Sequence, residues 1–402
     1  MSTSQAKQVL QLVSFLVLAS VVAFFFSRPP VKQPPMEQVP PTKEAEAFHG
    51  EVTVYNETKS FPGYTLYPVV GTAQVLLLDM KGDVVHHWPV DAQRARLLPN
   101  GNLLVVHGSK WGTGVEPWKT YKFSVREYDW NGTLVWEYDA PGRVHHDVAR
   151  LPNGNTLFPY RTILPPESLE QITSKRRKRL KQIRSDAIIE VSPFGRVVWN
   201  WKAEEHLDVN SCGKPACTDE NAADWTHVNT TYVLPENRFF DGGDERFRPG
   251  NLLILIRNWW TAMILDRETG EPVWEYTGDY KGGLSGGHEA VMIEPGLPGA
   301  GNILIFDNGR KIHQGESYAL EINPQTKELV WVYDNGKKFF SNSAGALQRL
   351  PNGNTLISED LSGRVFEVTP EKEIVWEYKG SHRIARAKRY PYEYVSSVIR
   401  KK

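Results

Sequence analysis

The chain has 402 residues, and its 47 lysines and arginines are balanced by 47 aspartates and glutamates, so the formal net charge is zero. That balance argues against an electrostatic nucleic-acid binder, whose domains carry a clear basic excess, and 40% hydrophobic with 11% aromatic residues argues against a wholly disordered chain. Thirteen tryptophans beside 32 glycines and 27 prolines favour an all-β fold of short strands and many turns.

The run from Val9 to Phe26, VLQLVSFLVLASVVAFFF, is apolar apart from Gln11, Ser14 and Ser20. Its length at about 1.5 Å per residue is roughly 27 Å, close to the hydrocarbon thickness of a bilayer. Residues 1–27 therefore read as an N-terminal membrane anchor with one transmembrane helix over residues 9–26. The competing reading, a cleaved signal peptide, calls for a shorter apolar region and a small-x-small site, where this chain continues AFFFSRPP. Lys7 before the run and Arg28 and Lys32 after it leave the orientation open by charge alone. Residues 28–52 begin RPPVKQPPMEQVPPTK, an extended proline-rich linker, and residues 53–402 follow as one domain.

Repeats define that domain. ARLLPNGNLLVV around Pro99, ARLPNGNTLFPY around Pro152 and LQRLPNGNTLIS around Pro351 each place a Pro-Asn-Gly-Asn turn between two strands, with looser copies near Pro235 and Pro295. A second unit is a tryptophan hairpin: LLLDMKGDVVHHW, REYDWNGTLVWEY, IEVSPFGRVVWNW, ILDRETGEPVWEY, LEINPQTKELVWVY and FEVTPEKEIVWEY. Its six copies carry Trp88, Trp136, Trp199, Trp274, Trp331 and Trp376. Two hairpins per repeat at a period of about 40 to 50 residues predict a β-propeller, one four-stranded blade per copy. The expectation is an all-β, six-bladed propeller whose repeated tryptophans fill the wedges between blades.

Long spacings mark insertions. PPESLEQITSKRRKRLKQIRSD, at about 165–186, has good helix formers after a Pro-Pro start and reads as a basic helical insertion. NSCGKPACTDE carries Cys212 and Cys217 with no further ligand at zinc spacing, so a local disulfide outside the cytoplasm is favoured over a metal clip or two free thiols. With the anchor, this places the propeller on the extracytoplasmic, periplasmic side of a membrane. Arg238 to Arg248 forms a further insertion.

In a blade, the start of the innermost strand and the end of the second strand meet at one mouth. The first set comprises Gln93, His145, His146, His227, Asn229, His288, Glu289 and Ser343 to Gly345. The second comprises His107, Arg161, Arg257, Asp307, Asn308, Arg310, Glu359 and Asp360. Four histidines at one repeat position in three blades, faced by Arg161 and Arg257, make a ring that is expensive unless an anion or a metal neutralises it. Trp259, just after Arg257, is a candidate to stack on an aryl ring, with blade-edge packing as its alternative.

HHDVARLPNGNTL, DWTHVN, LLILIRN, GGHEAVMIEPG with GNILIFDNG, and SNSAGALQRLPNGNTLISED with RAKRYPYEY resemble, in that order, the bacterial arylsulfotransferase family, the arylsulfate sulfotransferases, over roughly residues 70–395. The resemblance implies a six-bladed propeller that moves a sulfuryl group from an aryl sulfate donor to a phenolic acceptor through a covalent sulfohistidine, with no cofactor, no metal and no nucleotide donor. It implies His288 of GGHEAV as nucleophile, His146, His227 and Arg257 as further catalytic residues, and Asn229 as a substrate contact. His145, Arg161, Asn308 and Trp259 are the other candidate substrate contacts. The chemistry suits these residues independently: a neutral imidazole can attack sulfur, and fixed donors can stabilise charge on the peripheral oxygens. Two other readings stand beside it, a non-catalytic propeller scaffold or ligand-binding module and a metal- or quinone-dependent propeller enzyme.

Overall fold

The computed structural model describes residues 48–108, 110–215, 217 and 222–395. The transmembrane helix expected at residues 9–26 lies outside the described residues, as does the linker up to residue 47; among the described residues no helix is long and apolar enough to cross a membrane.

Six antiparallel sheets form the six blades of a propeller. Blade 1 has Tyr64–Val69, Gln74–Leu78 and Val84–Trp88, with Lys388–Tyr390 on its inner edge. Blade 2 is Arg94–Leu97, Leu103–Val106, Ser124–Tyr128 and Leu134–Asp139, and blade 3 is Ala149–Arg150, Thr156–Ile163, Arg184–Val191 and Val197–Lys202. Blade 4 is Val228–Val233, Leu252–Ile256, Thr261–Leu265 and Pro272–Tyr276, and blade 5 is Glu289–Met292, Ile303–Asp307, Tyr318–Ile322 and Leu329–Tyr333. Blade 6 has Ala346–Arg349, Thr355–Glu359, Arg364–Val368 and Ile374–Gly380, with Gly50–Tyr55 as a fifth, outer strand.

The inner strands read as continuous apolar runs because blades cover both faces: LLILI and ILIFD are buried at every position. Outer strands such as Leu134–Asp139 alternate between half-buried and exposed residues. In all six blades the pairing of the third and fourth strands shifts register next to their turn. Such a bulge sharpens the local twist; it falls just before the repeated tryptophan in blades 2 to 6 and just before His86 in blade 1.

The repeats carry the ring's hydrogen bonds. Each tryptophan donates its indole N–H to a turn carbonyl of the next blade: Trp88 to Asp129, Trp136 to Pro193, Trp199 to Arg267, Trp274 to Pro324, Trp331 to Pro370, and Trp376 back to Met80. Trp88, Trp274 and Trp376 are buried, whereas Trp136, Trp199 and Trp331 are half-exposed, so wedge filling explains only some of them and the inter-blade hydrogen bond explains all. The final asparagine of the turn motif has a matching task. Asn102, Asn155 and Asn354 donate to Glu127, Glu190 and Glu367 of their own third strands, and Arg150 and Arg267 reach across from the following blades to Glu127 and Glu190.

Two strands from the ends of the domain close the ring. Tyr64–Val69 pairs with Lys388–Tyr390, and Gly50–Tyr55, which begins three residues before the expected domain boundary, pairs with Ile374–Gly380. The basic insertion is not the helix its composition suggests. It contains one short helix, Pro166–Gln171, and a 3-10 turn, Arg177–Arg179, before Arg184 to Asp186 enter blade 3. Its apolar residues are drawn out of helical spacing into the core: Ile172 and Ile183 are buried with Trp201 and Trp225. Arg177, also buried, donates to the carbonyl of Val209.

Candidate active site

His146, His227 and His288 each precede an innermost strand and converge from blades 3, 4 and 5. Their ring centroids lie 4.8 Å apart for His146 and His227 and 6.3 Å apart for His146 and His288. Backbone geometry helps to aim them: His146 has φ 66° and His227 has φ 61°, left-handed conformations that a β-carbon disfavours. The same conformation recurs at Ala344 and Arg386 in the turns entering blades 6 and 1. Strain of this kind collects at functional sites.

Hydrogen bonds fix the tautomers. His288 Nδ1 lies 2.6 Å from Asn308 Oδ1, and the Asn308 amide nitrogen is committed to the carbonyls of Ser341 and Ala344. The amide oxygen therefore accepts, His288 carries its proton on Nδ1, and Nε2 keeps its lone pair. Ser343 Oγ is 3.4 Å from that Nε2. Burial and the charges of Arg257 and Arg386 hold the His288 pKa well below the ordinary histidine value, so the ring is neutral.

A second chain runs Gln93, His146, His227, Asp224. Burial would raise the Asp224 carboxyl, but His227, Arg184 and Arg161 outweigh it and keep the group ionised. An ionised Asp224 Oδ2 must accept, at 2.6 Å, from His227 Nδ1–H. His227 is pushed down to about 4 by burial and by Arg257, against the pull of Asp224, so at neutral pH its Nε2 is an acceptor. That Nε2 lies 2.9 Å from His146 Nε2, which must donate, and His146 Nδ1 then accepts at 2.8 Å from the Gln93 amide. Burial, with the neighbouring His227 and His145, holds His146 well below its ordinary value. Arg257 completes the group: its guanidinium is 3.7 Å from Asp224 Oδ2 and it bonds Asn258 Oδ1 at 3.1 Å.

The other expected contacts have different surroundings. His145 pairs with Asp186 at 2.8 Å, and Asp186 also accepts from Thr226 and the Val228 amide, a junction between blades 3 and 4. Asn229 donates its amide to the carbonyl of Gly287. Arg161 contributes charge near Asp224, and Asn308 orients the nucleophile candidate. Trp259 is buried edge-on against Trp225 with ring centroids 5.7 Å apart, so packing occupies the ring expected to stack on substrate. Cys212 and Cys217 form the expected disulfide, and its loop lies on Trp259 through Gly213 and Lys214. Of the remaining mouth positions, His107 is a core residue bonded to the Asp91 carbonyl and Tyr128, and Glu289 joins a buried ionic cluster with Arg94 and Lys388.

Two residues at the site escaped the sequence reading: Asp224, whose place in DWTHVN three residues before His227 is a signal for a buttressing carboxylate, and Arg386; Gln93, read as a mouth position, has His146 as its partner. Arg386 is almost fully buried and donates to the carbonyls of Asn229 and His288 at 2.7 and 2.8 Å. Its signal was the repeat position it shares with His146 and His227, which became visible only once Lys388–Tyr390 proved to be an innermost strand. Among the described residues, no group of three or more His, Cys, Asp or Glu side chains is disposed to hold a metal ion.

A family model described as Arylsulfotransferase (ASST) matches residues 118–381. No curated protein matches the chain. Among solved structures, a protein of unknown function from Bacteroides caccae superposes with TM-score 0.51 at 13% identity, over 81% of this chain and 98% of that one, a likeness of fold alone. A streptogramin B lyase aligns at TM-score 0.41 and 12% identity over 83% of this chain and 87% of its own. An auxiliary nutrient binding protein from Bacteroides ovatus aligns at TM-score 0.39 and 13% identity over 82% of this chain and 65% of its own.

Proposed function

The chain belongs to the arylsulfotransferase family, and we propose that it transfers a sulfuryl group from an aryl sulfate to a phenol through a sulfohistidine on His288. The observation that carries this reading is the pairing of His288 Nδ1 with Asn308 Oδ1 at 2.6 Å, which leaves a neutral, buried Nε2 with its lone pair available beside Arg257 and two further imidazoles.

His288 Nε2 attacks sulfur, the N–S bond forms, and the S–O bond to the aryl group breaks with its electrons leaving on the phenolate oxygen. The imidazole ring then carries positive charge, which the Asn308 carbonyl oxygen stabilises through Nδ1–H. The Arg257 guanidinium serves the sulfuryl oxygens, where a fixed donor is worth most because the site is buried. With both rings neutral, the His146 and His227 pair has no proton to give in the first half, and the phenolate departs as the anion. In the second half the pair takes a proton from the acceptor phenol, whose oxygen attacks sulfur and releases Nε2. Asp224 holds His227 in the tautomer whose Nε2 can accept that proton. The Cys212–Cys217 disulfide supports placing the propeller outside the cytoplasm, and the apolar run at residues 9–26 supports a single-span membrane attachment.

Purified protein given a chromogenic aryl sulfate and a phenol should release phenolate, and His288→Ala should not. Intact mass after donor alone should rise by one sulfuryl group on a peptide containing His288. Release that is equal in wild type and His288→Ala would overturn the transfer reading.

A further inference from the structure

Arg386 stands apart from the other arginines of the site. It enters from the C-terminal end of the domain, two residues before the Lys388–Tyr390 strand that closes blade 1. Its backbone is left-handed at φ 56° without a glycine, and its amide is fastened at 3.0 Å to Asp360 Oδ2, which also accepts from the Gly345 amide. One guanidinium nitrogen, Nη2, donates to the main-chain carbonyls of Asn229 in blade 4 and His288 in blade 5. The other, Nη1, is buried without a hydrogen-bond partner, and Glu289 Oε1 lies 4.0 Å from it. A buried arginine that leaves one terminal nitrogen unbonded and spends the other on two carbonyls of the nucleophile's surroundings is costly as plain scaffolding.

We infer that Arg386 is a positioning residue for His288: its guanidinium clamps the carbonyls of Asn229 and His288 and sets a fixed cation beneath the imidazoles. Because the clamp arrives with the closing strand, the site is complete only when the C-terminal segment has been threaded into blade 1. This inference rests on the sulfuryl-transfer reading of His288.

The charge and the fork have separable consequences. The groups that bear on His288 are Arg257 from blade 4, Arg386 from the closing segment, His227 and His146 from the neighbouring turns, and the carboxylates Glu289 and Asp360, which are turned to Arg94, Lys388 and the Gly345 and Arg386 amides. Two arginine cations at fixed places disfavour protonation of His288, so deleting one raises the pH at which the imidazole becomes a free nucleophile. Lysine keeps the charge but cannot match the planar fork.

The test compares kcat/KM against pH for wild type, His288→Ala, Arg386→Gln and Arg386→Lys, with circular dichroism to verify folding. Arg386→Gln should lower kcat on the order of a hundredfold and move the acid limb to higher pH. Arg386→Lys should return the limb toward its wild-type position while kcat stays depressed, by about tenfold. If folded Arg386→Gln, or Arg386→Lys where the glutamine variant does not fold, has wild-type kcat and a wild-type profile, the inference is overturned while the transfer reading stands. A fall in kcat with no displacement of the limb in Arg386→Gln, or a limb left displaced in Arg386→Lys, also overturns it. Wild type no better than His288→Ala overturns the transfer reading itself.

Discussion

His288 and Asn308 are joined by a 2.6 Å contact between Nδ1 and Oδ1, and the amide nitrogen of Asn308 is tied down by the carbonyls of Ser341 and Ala344 in the turn entering blade 6. The orientation of one imidazole in blade 5 is thereby set by the backbone of its neighbour. Asn308 cannot flip without facing those two carbonyls with its own oxygen, so the proton of His288 is fixed on the side away from Nε2.

Asn308→Ala should accordingly lower turnover by about ten- to a hundredfold, the kinetic equivalent of losing one buried hydrogen bond, with a smaller change in donor KM. Steady-state kinetics with an aryl sulfate checks this. An unchanged kcat would mean that His288 does not need its present tautomer.

The pH dependence follows from His227. Its pKa is pushed down to about 4 by burial and Arg257, below the ordinary histidine value of about 6.5. Folding therefore favours the neutral ring, and its contribution to stability is fully present above about pH 6.5 and is lost as pH falls through about 4. Activity should follow the same direction, with kcat/KM flat through neutrality and falling in acid as His227, below about pH 4, and His288, also held low, take up protons. Thermal melts and initial rates from pH 3 to 8 test both; an acid limb near the ordinary histidine value would contradict the assignment.

Asp224→Asn should remove the negative charge that holds His227 Nδ1–H and faces Arg257, leaving a neutral amide in its place. The expected outcome is a fall in kcat of at least tenfold with little change in the melting temperature at neutral pH, because the pair is replaced by an isosteric amide. Kinetics with both donor and acceptor varied would show whether the fall lies in the acceptor half-reaction.

The tryptophan hydrogen bonds give a graded stability test. Trp274 is buried and bonds Pro324 at 2.7 Å, whereas the Trp331 indole nitrogen bonds Pro370 at a half-exposed edge. Trp274→Phe leaves a buried carbonyl unsatisfied and some volume empty, for about 2 to 4 kcal/mol. Trp331→Phe should cost about 1 kcal/mol or less, since water can replace the donor. Chemical denaturation of the two variants should rank them in that order.

Reducing the Cys212–Cys217 disulfide should cost about 2 kcal/mol, as expected for a short loop. It should also lower activity, because Trp225, adjacent to Asp224, donates its indole N–H to Ser211 in that loop. Rates and melting temperature measured with and without a reductant test this; activity untouched by full reduction would separate the loop from the site.

The sequence by itself determined the blade count, the repeated tryptophans and the ring of histidines, because turn motifs and strand periodicity are local and a repeat turns local positions into converging ones. His146, His227, His288, Arg257 and Asn308 were legible for that reason. The fate of the basic insertion was not: a run of good helix formers was overruled when Ile172 and Ile183 found a core to enter. Burial likewise took Trp259 into packing against Trp225, and an inter-blade contact took His145 to Asp186. What only the tertiary structure decided was ring closure and what came with it. The pairing of Leu66 with Lys388 joins residues from opposite ends of the domain. No local pattern records such a contact, and it is the one that delivers Arg386 to the carbonyl of His288.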